Sequence, residues 1–373
     1  MKNKNWLYNT IRESPMKTSK SSLLSGFIFF VSCFYMHSQE VNQITSKYDF
    51  IPGEKVVFFD DFASETIGDF PAQWNTNSSG EIVTVSNNPE HWFQMTKSGY
   101  FIPETKGDYS ENFTIEFDII PHNVSDNEMM SGVDFLIVSG TVSNPNEGGA
   151  IPGKAGVRIT PSYETISWTN WSDTDEGYKD NGSVSQIIKA SEKIHFAFWV
   201  QKQRLRMYVG QNKVFDLPRG MIANYKYNIF RFQTNEEGTP LIANFRIAAG
   251  LPDMRNKLLK EGKLISYGIQ FDVNSDKVKP ESYSTLKEIA QVMKENPNLK
   301  IKIVGHTDSD GDNALNLDLS KRRAASVKKE LVDGFSIENA RIETDGKGST
   351  EPLAPNENVL NKAKNRRVEF IKL

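Results

Sequence analysis

Between about Val41 and Ala249 the chain runs in short apolar and mixed stretches with a period near two. Residues 113–120 (FTIEFDII), 134–138 (DFLIV), 194–200 (IHFAFWV), 204–209 (RLRMYV) and 241–247 (LIANFRI) are rich in β-branched and aromatic residues and bounded by Gly, Asn, Pro or Asp. That combination predicts strands. No stretch in this region carries a helical period, so an all-β sandwich or jelly roll is expected over 41–250. A membrane barrel would need strands of about ten residues with one clean lipid-facing side. Residues 194–200 are instead apolar on both faces, and the links at 144–153 and 172–183 are long and irregular.

After Gly262 the pattern changes. Leu251-Pro252-Asp253 marks the boundary, and 251–262 reads as a linker with a short helix over 254–261. A strand over 264–272 precedes a helix over 282–293, on which Tyr283, Leu286, Ile289, Ala290 and Met293 share one face. A strand over 300–305, a helix over 314–331 and strands over 341–346 and 367–372 follow. This order predicts a second domain, 263–373, of α+β class, with helices on one face of a small mixed sheet. Five of the six tryptophans fall between 74 and 199 and none after, so the two parts differ in composition as well as pattern.

The N-terminus reads as an export signal over 1–39. Lys17 and Lys20 precede an apolar run from Leu23 to Tyr35, too short for a membrane span, and polar residues follow at His37 to Gln39. Met16 is an alternative start, and a mature chain beginning near Glu40 is expected. The only cysteine, Cys33, lies inside the run. It is followed by Phe34 and Tyr35 rather than polar residues, against lipidation. A chain cleaved there has no cysteine left for disulfides, thiolate metal sites or nucleophilic catalysis.

The 373 residues carry a net charge of −3, with 24% charged and 38% hydrophobic residues. These values fit globular domains and give no reason to expect nucleic acid as a partner. From Lys263 onward there are 19 bases and 17 acids, so recognition by this domain should be local rather than a general attraction to polyanions.

The candidate chemistry is concentrated in 305–324, GHTDSDGDNALNLDLSKRRA. Asp308, Asp310 and Asp312 imitate the start of a calcium loop, but the closing position holds Leu319 rather than a bidentate Glu, and a basic helix follows directly. Asn316, Leu319, Ser320 and Arg323 fall on one helix face. With FDVNS at 271–275, GHTD at 305–308, NLDLS at 316–320, RRAASV at 322–327, GKG at 346–348, Pro352, Asn356 and NRRVEF at 365–370, these residues resemble the OmpA C-terminal-like family of peptidoglycan-binding domains. The resemblance spans nearly all of 263–373. It implies a βαβαβ order of elements and a pocket for the diaminopimelate side chain of the peptidoglycan stem peptide, with Asp308 facing the ligand ammonium and Arg323 its carboxylate. It also makes Asn316, Thr307, Asp272, Ser320 and Arg366 candidate ligand contacts, while His306 is expected to be structural.

Residues 52–62 (PGEKVVFFDDF) resemble, more loosely, the concanavalin-like jelly-roll modules that precede such domains in Bacteroidetes proteins. That class includes glucanases, and Glu116-Phe117-Asp118 is similar to their catalytic strand, but Pro121 stands where the partner acid would be. Trp74, Trp168 and Trp171 are candidates for stacking sugars, although buried structural roles are expected for at least two of them. The expected protein is an exported, non-catalytic component of a Gram-negative envelope, at the outer membrane or in the periplasm. It needs no cofactor or metal. Its partners are peptidoglycan, an outer-membrane or envelope protein, and a candidate carbohydrate at the sandwich. The alternative is a glycan-binding or glycan-cleaving protein whose second domain only anchors it to the wall.

Overall fold

A computed structural model describes residues 48–86, 89–122, 130–141, 149, 151–174, 178–236, 238–251 and 253–373. The expected signal segment lies outside these residues. Two sheets form the first part of the fold. One runs in the order Asn212–Leu217, Arg204–Val209, Ile194–Gln201, Asn112–Ile120, Leu241–Ala249, His91–Met95, Gly80–Thr84, with Lys55–Asp60 also paired to Leu241–Ala249. The other runs Tyr178–Ser185, Thr165–Ser172, Ala155–Ser162, Val133–Ser139, Ile229–Thr234, Gly99–Pro103, Trp74–Thr76. Their inner faces meet in a phenylalanine-rich core. Phe117 of the first sheet lies 5.2 Å from Phe135 and 5.0 Å from Phe232 of the second, ring centre to ring centre. Such pairs add to the burial of their area, by about 0.5–1.5 kcal/mol each.

Residues 113–120 and 194–200 are sequestered on both faces, as their composition predicts, but the second face is not apolar. Period two sends Ile115, Phe117 and Ile119 inward, and Glu116 and Asp118 to the outer side with His195 of the neighbouring strand. Asn244, in the left-handed region at φ 53°, marks a break in register beside Arg246. Arg246 Nη2 lies 2.6 Å from Glu116 Oε1, and His195 Nδ1 lies 2.8 Å from Asp118 Oδ1. The C-terminal residues cover this cluster. Gln270 Nε2 donates to Glu116 (3.0 Å), Arg246 Nη1 donates to the Tyr267 carbonyl (2.7 Å), and Lys279 Nζ is 3.9 Å from Asp118. Tyr48 and Phe50 pack on Ala197 and Tyr208 of the same outer face. Ser284 Oγ donates to the Tyr48 carbonyl (3.1 Å). The described residues thus form one compact unit.

The C-terminal region opens with the short helix Met254–Asn256, continued by a wider turn over Lys257–Glu261 and closed by Gly262 at φ 77°. A four-stranded mixed sheet follows, built from β1 (Lys263–Ser266), β2 (Ile301–His306), β3 (Ile342–Gly348) and β4 (Val368–Lys372) in the order β1-β4-β2-β3. Only β2 and β3 run parallel. Helices α1 (Tyr283–Glu295), α2 (Asn313–Lys329) and α3 (Val359–Asn365) complete it. Leu286, Ile289 and Met293 of α1 and Val327 of α2 pack with Ile301, Ile303 and Phe370 of the sheet in one core. The expected strand over 264–272 stops at Ser266, and Phe271 instead bridges to Val278. Helix α3 has no counterpart in the predicted elements, because seven largely polar residues carry too little apolar period. Asn358 caps it by accepting from the Asn361 amide (2.9 Å).

The outer-face cluster makes stability depend on pH. Burial lowers the pKa of His195, but Asp118 and Glu116 outweigh it and hold the imidazole proton up to about 9. A raised folded-state pKa stabilises fully below the unfolded value near 6.5, and that contribution is lost as pH rises through about 9. Chemical denaturation of wild type between pH 6 and 10 should show a loss of about 3 kcal/mol across this window. His195→Gln should be destabilised at pH 6 and lack the pH-dependent loss.

Candidate functional site

The loop after β2 separates three aspartates that the sequence sets two apart. Asp312 caps α2, its Oδ1 accepting from the amides of Ala314 (2.8 Å) and Leu315 (3.0 Å). Asp310 turns to Lys362 Nζ at 2.7 Å. Asp308 is buried, and its Oδ2 lies 2.6 Å from Arg366 Nη1. Gly311, at φ 84°, permits the turn that parts them. Among the described residues no group of three His, Cys, Asp or Glu side chains is placed to hold a metal ion.

Helix α2 is pressed against the sheet at two glycines. A Cβ on Gly305 would meet the Ser320 carbonyl at 2.3 Å, and one on Gly346 the Lys321 amide nitrogen at 2.4 Å. This close seating fixes Arg323, two turns into the helix, relative to the Asp308 loop. The Arg323 guanidinium lies 4.8 Å from the centre of the Phe271 ring. Its Nε donates to the Ser275 carbonyl (2.9 Å) and its Nη2 to the Asp272 carbonyl (3.3 Å). Among the described residues it has no carboxylate within 4 Å. Burial and the nearby Arg366 push its pKa down to about 10, only partly opposed by Asp308.

The other expected contacts divide by what they touch. Thr307 Oγ1 donates to the Asp308 carbonyl (2.8 Å), and Asn316 Nδ2 to the Asp310 carbonyl (2.8 Å). Ser320 Oγ accepts from the Gly348 amide (2.9 Å) and donates to the Leu317 carbonyl (2.8 Å). These three shape the loop from within. Asp272 is largely exposed and lies 3.3 Å from Lys279 Nζ. Arg366 bridges Asp308 to a residue absent from the predicted site, Asp61 of the sandwich, its Nη2 lying 2.9 Å from Asp61 Oδ2. Arg367 is buried against Glu369 at 2.8 Å. His306 is buried near the same carboxylate, with Nε2 3.6 Å from Glu369 Oε2.

Asn365 organises the far rim. Wholly buried, it accepts from the amides of Leu353 (2.8 Å) and Ala354 (3.1 Å) and donates to the Ala354 carbonyl and Asn356 Oδ1, both at 2.8 Å. Asn356 Oδ1 in turn accepts from the Ser309 amide, next to Asp308 (3.3 Å).

Residues 270–366 match the OmpA family. They are an OmpA family domain. Outer membrane porin F of Pseudomonas aeruginosa is 39% identical over 105 residues, covering 28% of this chain and 30% of that protein. The probable lipoprotein YiaD of Escherichia coli is 41% identical over 102 residues, covering 27% of this chain and 46% of its own. The chain thus spans less than half of either relative. A solved structure of the peptidoglycan-associated lipoprotein from Burkholderia pseudomallei aligns at 27% identity with 32% of this chain and 98% of its own, with a TM-score of 0.28.

The three tryptophans considered for sugar stacking are buried. Trp74 donates to Asp60 (3.0 Å) and Trp171 to the Pro152 carbonyl (3.0 Å), while Trp168 is 9% exposed. Glu116 and Asp118, the pair similar to a glucanase strand, are ion-paired beneath the C-terminal residues.

The Asn365 network yields a graded prediction. Asn365→Ala removes four bonds made by a wholly buried side chain, which should destabilise the chain by about 2–3 kcal/mol in a urea titration. Asn365→Asp keeps both acceptor roles and should fall between Ala and wild type.

Proposed function

We propose that the OmpA family domain binds the diaminopimelate stem peptide of peptidoglycan, and that the chain is a non-catalytic envelope protein linking the wall to the outer membrane or to an envelope partner. The observation that carries this reading is Arg323. It is a half-buried guanidinium held by carbonyls and a ring face, with no carboxylate among the described residues within ion-pair distance of it. Such a group binds a carboxylate strongly, because the fork makes two charge-assisted bonds and the cation is already partly dehydrated. Asp308 lies close enough to act on the charge of Arg323, and offers the opposite charge to a ligand ammonium. A diaminopimelate side chain ends in both groups, whereas a lysine side chain lacks the carboxylate.

Asp308, Arg323 and Arg366 would face the ligand, with Asp272 at the rim. Thr307, Asn316 and Ser320 would hold the loop in shape. The relatives named as an outer membrane porin and a lipoprotein support an envelope location, reached through the expected signal segment. A carbohydrate partner at the sandwich is a second reading. It is favoured by an open cleft of about 950 Å³ lined by Asn170, Asp180, Gln203, Arg219 and Tyr225.

Co-sedimentation of the full chain with purified sacculi tests the main reading. Each charge-assisted bond contributes roughly 1.5–3 kcal/mol, so Arg323→Ala and Asp308→Ala should each weaken binding by about ten- to a hundredfold. Arg323→Lys should recover only part of it, and lysine-type walls should bind as weakly as Arg323→Ala does to diaminopimelate-type walls. Equal pelleting of all variants would refute the pocket.

A further inference from the structure

The sandwich contributes a charge to this pocket. We infer that Asp61 is a specificity-determining residue of the site, which makes it select a ligand carrying an ammonium together with its carboxylate. The inference rests on the pocket reading above and adds to it a residue outside the family domain.

Three charges of the pocket come from the C-terminal residues: Asp308, Arg323 and Arg366. Alone they sum to one positive charge, Asp272 at the rim being paired with Lys279, and Arg366, 2.6 Å from Asp308, occupies the one carboxylate of the three. A site of that kind favours anions and repels an incoming ammonium. Asp61 changes the balance. It takes the other arm of the Arg366 fork at 2.9 Å, so that two carboxylates share one guanidinium and the four charges sum to zero. Asp308 then keeps negative charge to offer a ligand ammonium while Arg323 receives the carboxylate.

Asp61 is also held in place rather than drifting at a loop tip. Its Oδ1 accepts from the Ala63 amide (3.2 Å), leaving Oδ2 for Arg366. The next residue, Phe62, is fully buried and sits in the left-handed region at φ 57°, a costly conformation for a bulky side chain. Two bonds keep it there. Asp60 Oδ1 accepts from the Phe62 amide (2.9 Å), and His91 Nδ1 lies 3.0 Å from the Phe62 carbonyl. The Arg366 guanidinium rests 5.1 Å from the centre of the Phe59 ring, on the strand that leads into the turn. Strand, strained turn and carboxylate together form a rigid wall on one side of the pocket.

The experiment uses the full chain and two stem tripeptides, one ending in diaminopimelate and one in 2-aminopimelate, which keeps the side-chain carboxylate but lacks its ammonium. Calorimetric titration of the wild type should show at least tenfold preference for the first. Asp61→Asn should lower that preference at least fivefold, mainly by weakening the diaminopimelate peptide. Arg366→Gln added to Asp61→Asn restores net neutrality and should recover most of the preference. The melting temperature of each variant separates a lost fold from a lost charge, and an Asp61→Glu variant that binds like wild type while Asp61→Asn does not would confirm the role of charge. A preference unchanged in a folded Asp61→Asn, with binding still abolished by Arg323→Ala, overturns the role of Asp61 and leaves the pocket standing. Binding insensitive to Arg323→Ala, or absent in the wild type, overturns both.

Discussion

One guanidinium is shared between two parts of the chain. Arg366 spans Asp308 of the OmpA family domain and Asp61 of the sandwich, partners 58 and 305 residues away in sequence. Neither contact is strong alone, since all three side chains keep some access to water and exposed ion pairs contribute little. Their joint effect is geometric. They fix how Asp308, Arg366 and Asp61 lie relative to one another. The seating of α2 on Gly305 and Gly346 does the same for Arg323 on the opposite wall.

The same logic of shared charge governs the larger contact between the two parts. Glu116 and Asp118 would be costly if buried alone. Arg246, His195, Lys193 and Lys279 bring enough positive charge to hold Glu116 below its ordinary pKa and Asp118 far below it, against the upward push of burial. Directional bonds of this kind define one docking geometry where apolar contact alone would permit several.

Much of this was legible in the residues and much was not. Both folds could be read, because period two over 113–120 and period 3.6 over 283–293 reflect which faces are buried. Asp308 and Arg323 could be singled out because the stretch that carries them resembles the OmpA C-terminal-like family at those positions. Asp61 could not. It stands beside Asp60, which is wholly buried and bonded to Trp74, and nothing in the pair Asp60-Asp61 tells which one faces inward. Glu116-Phe117-Asp118 was ambiguous for a related reason: alternation placed both acids on one face, but their neutralising partners lie on other strands and in the second domain. The contacts of Asn316 and Ser320 were hard to foresee because one helix face carries both Arg323, which reaches the Ser275 and Asp272 carbonyls, and residues one and two turns earlier that bond within the loop and to Gly348.

A crystal structure of the full chain with a bound diaminopimelate tripeptide would locate both charges of the ligand against Asp308 and Arg323. The side-chain carboxylate should lie on the Arg323 fork and the ammonium within hydrogen-bond distance of Asp308, with Arg366 still held by Asp61. A peptide bound elsewhere, or one whose ammonium points to solvent while Arg366 remains on Asp308, would contradict that arrangement.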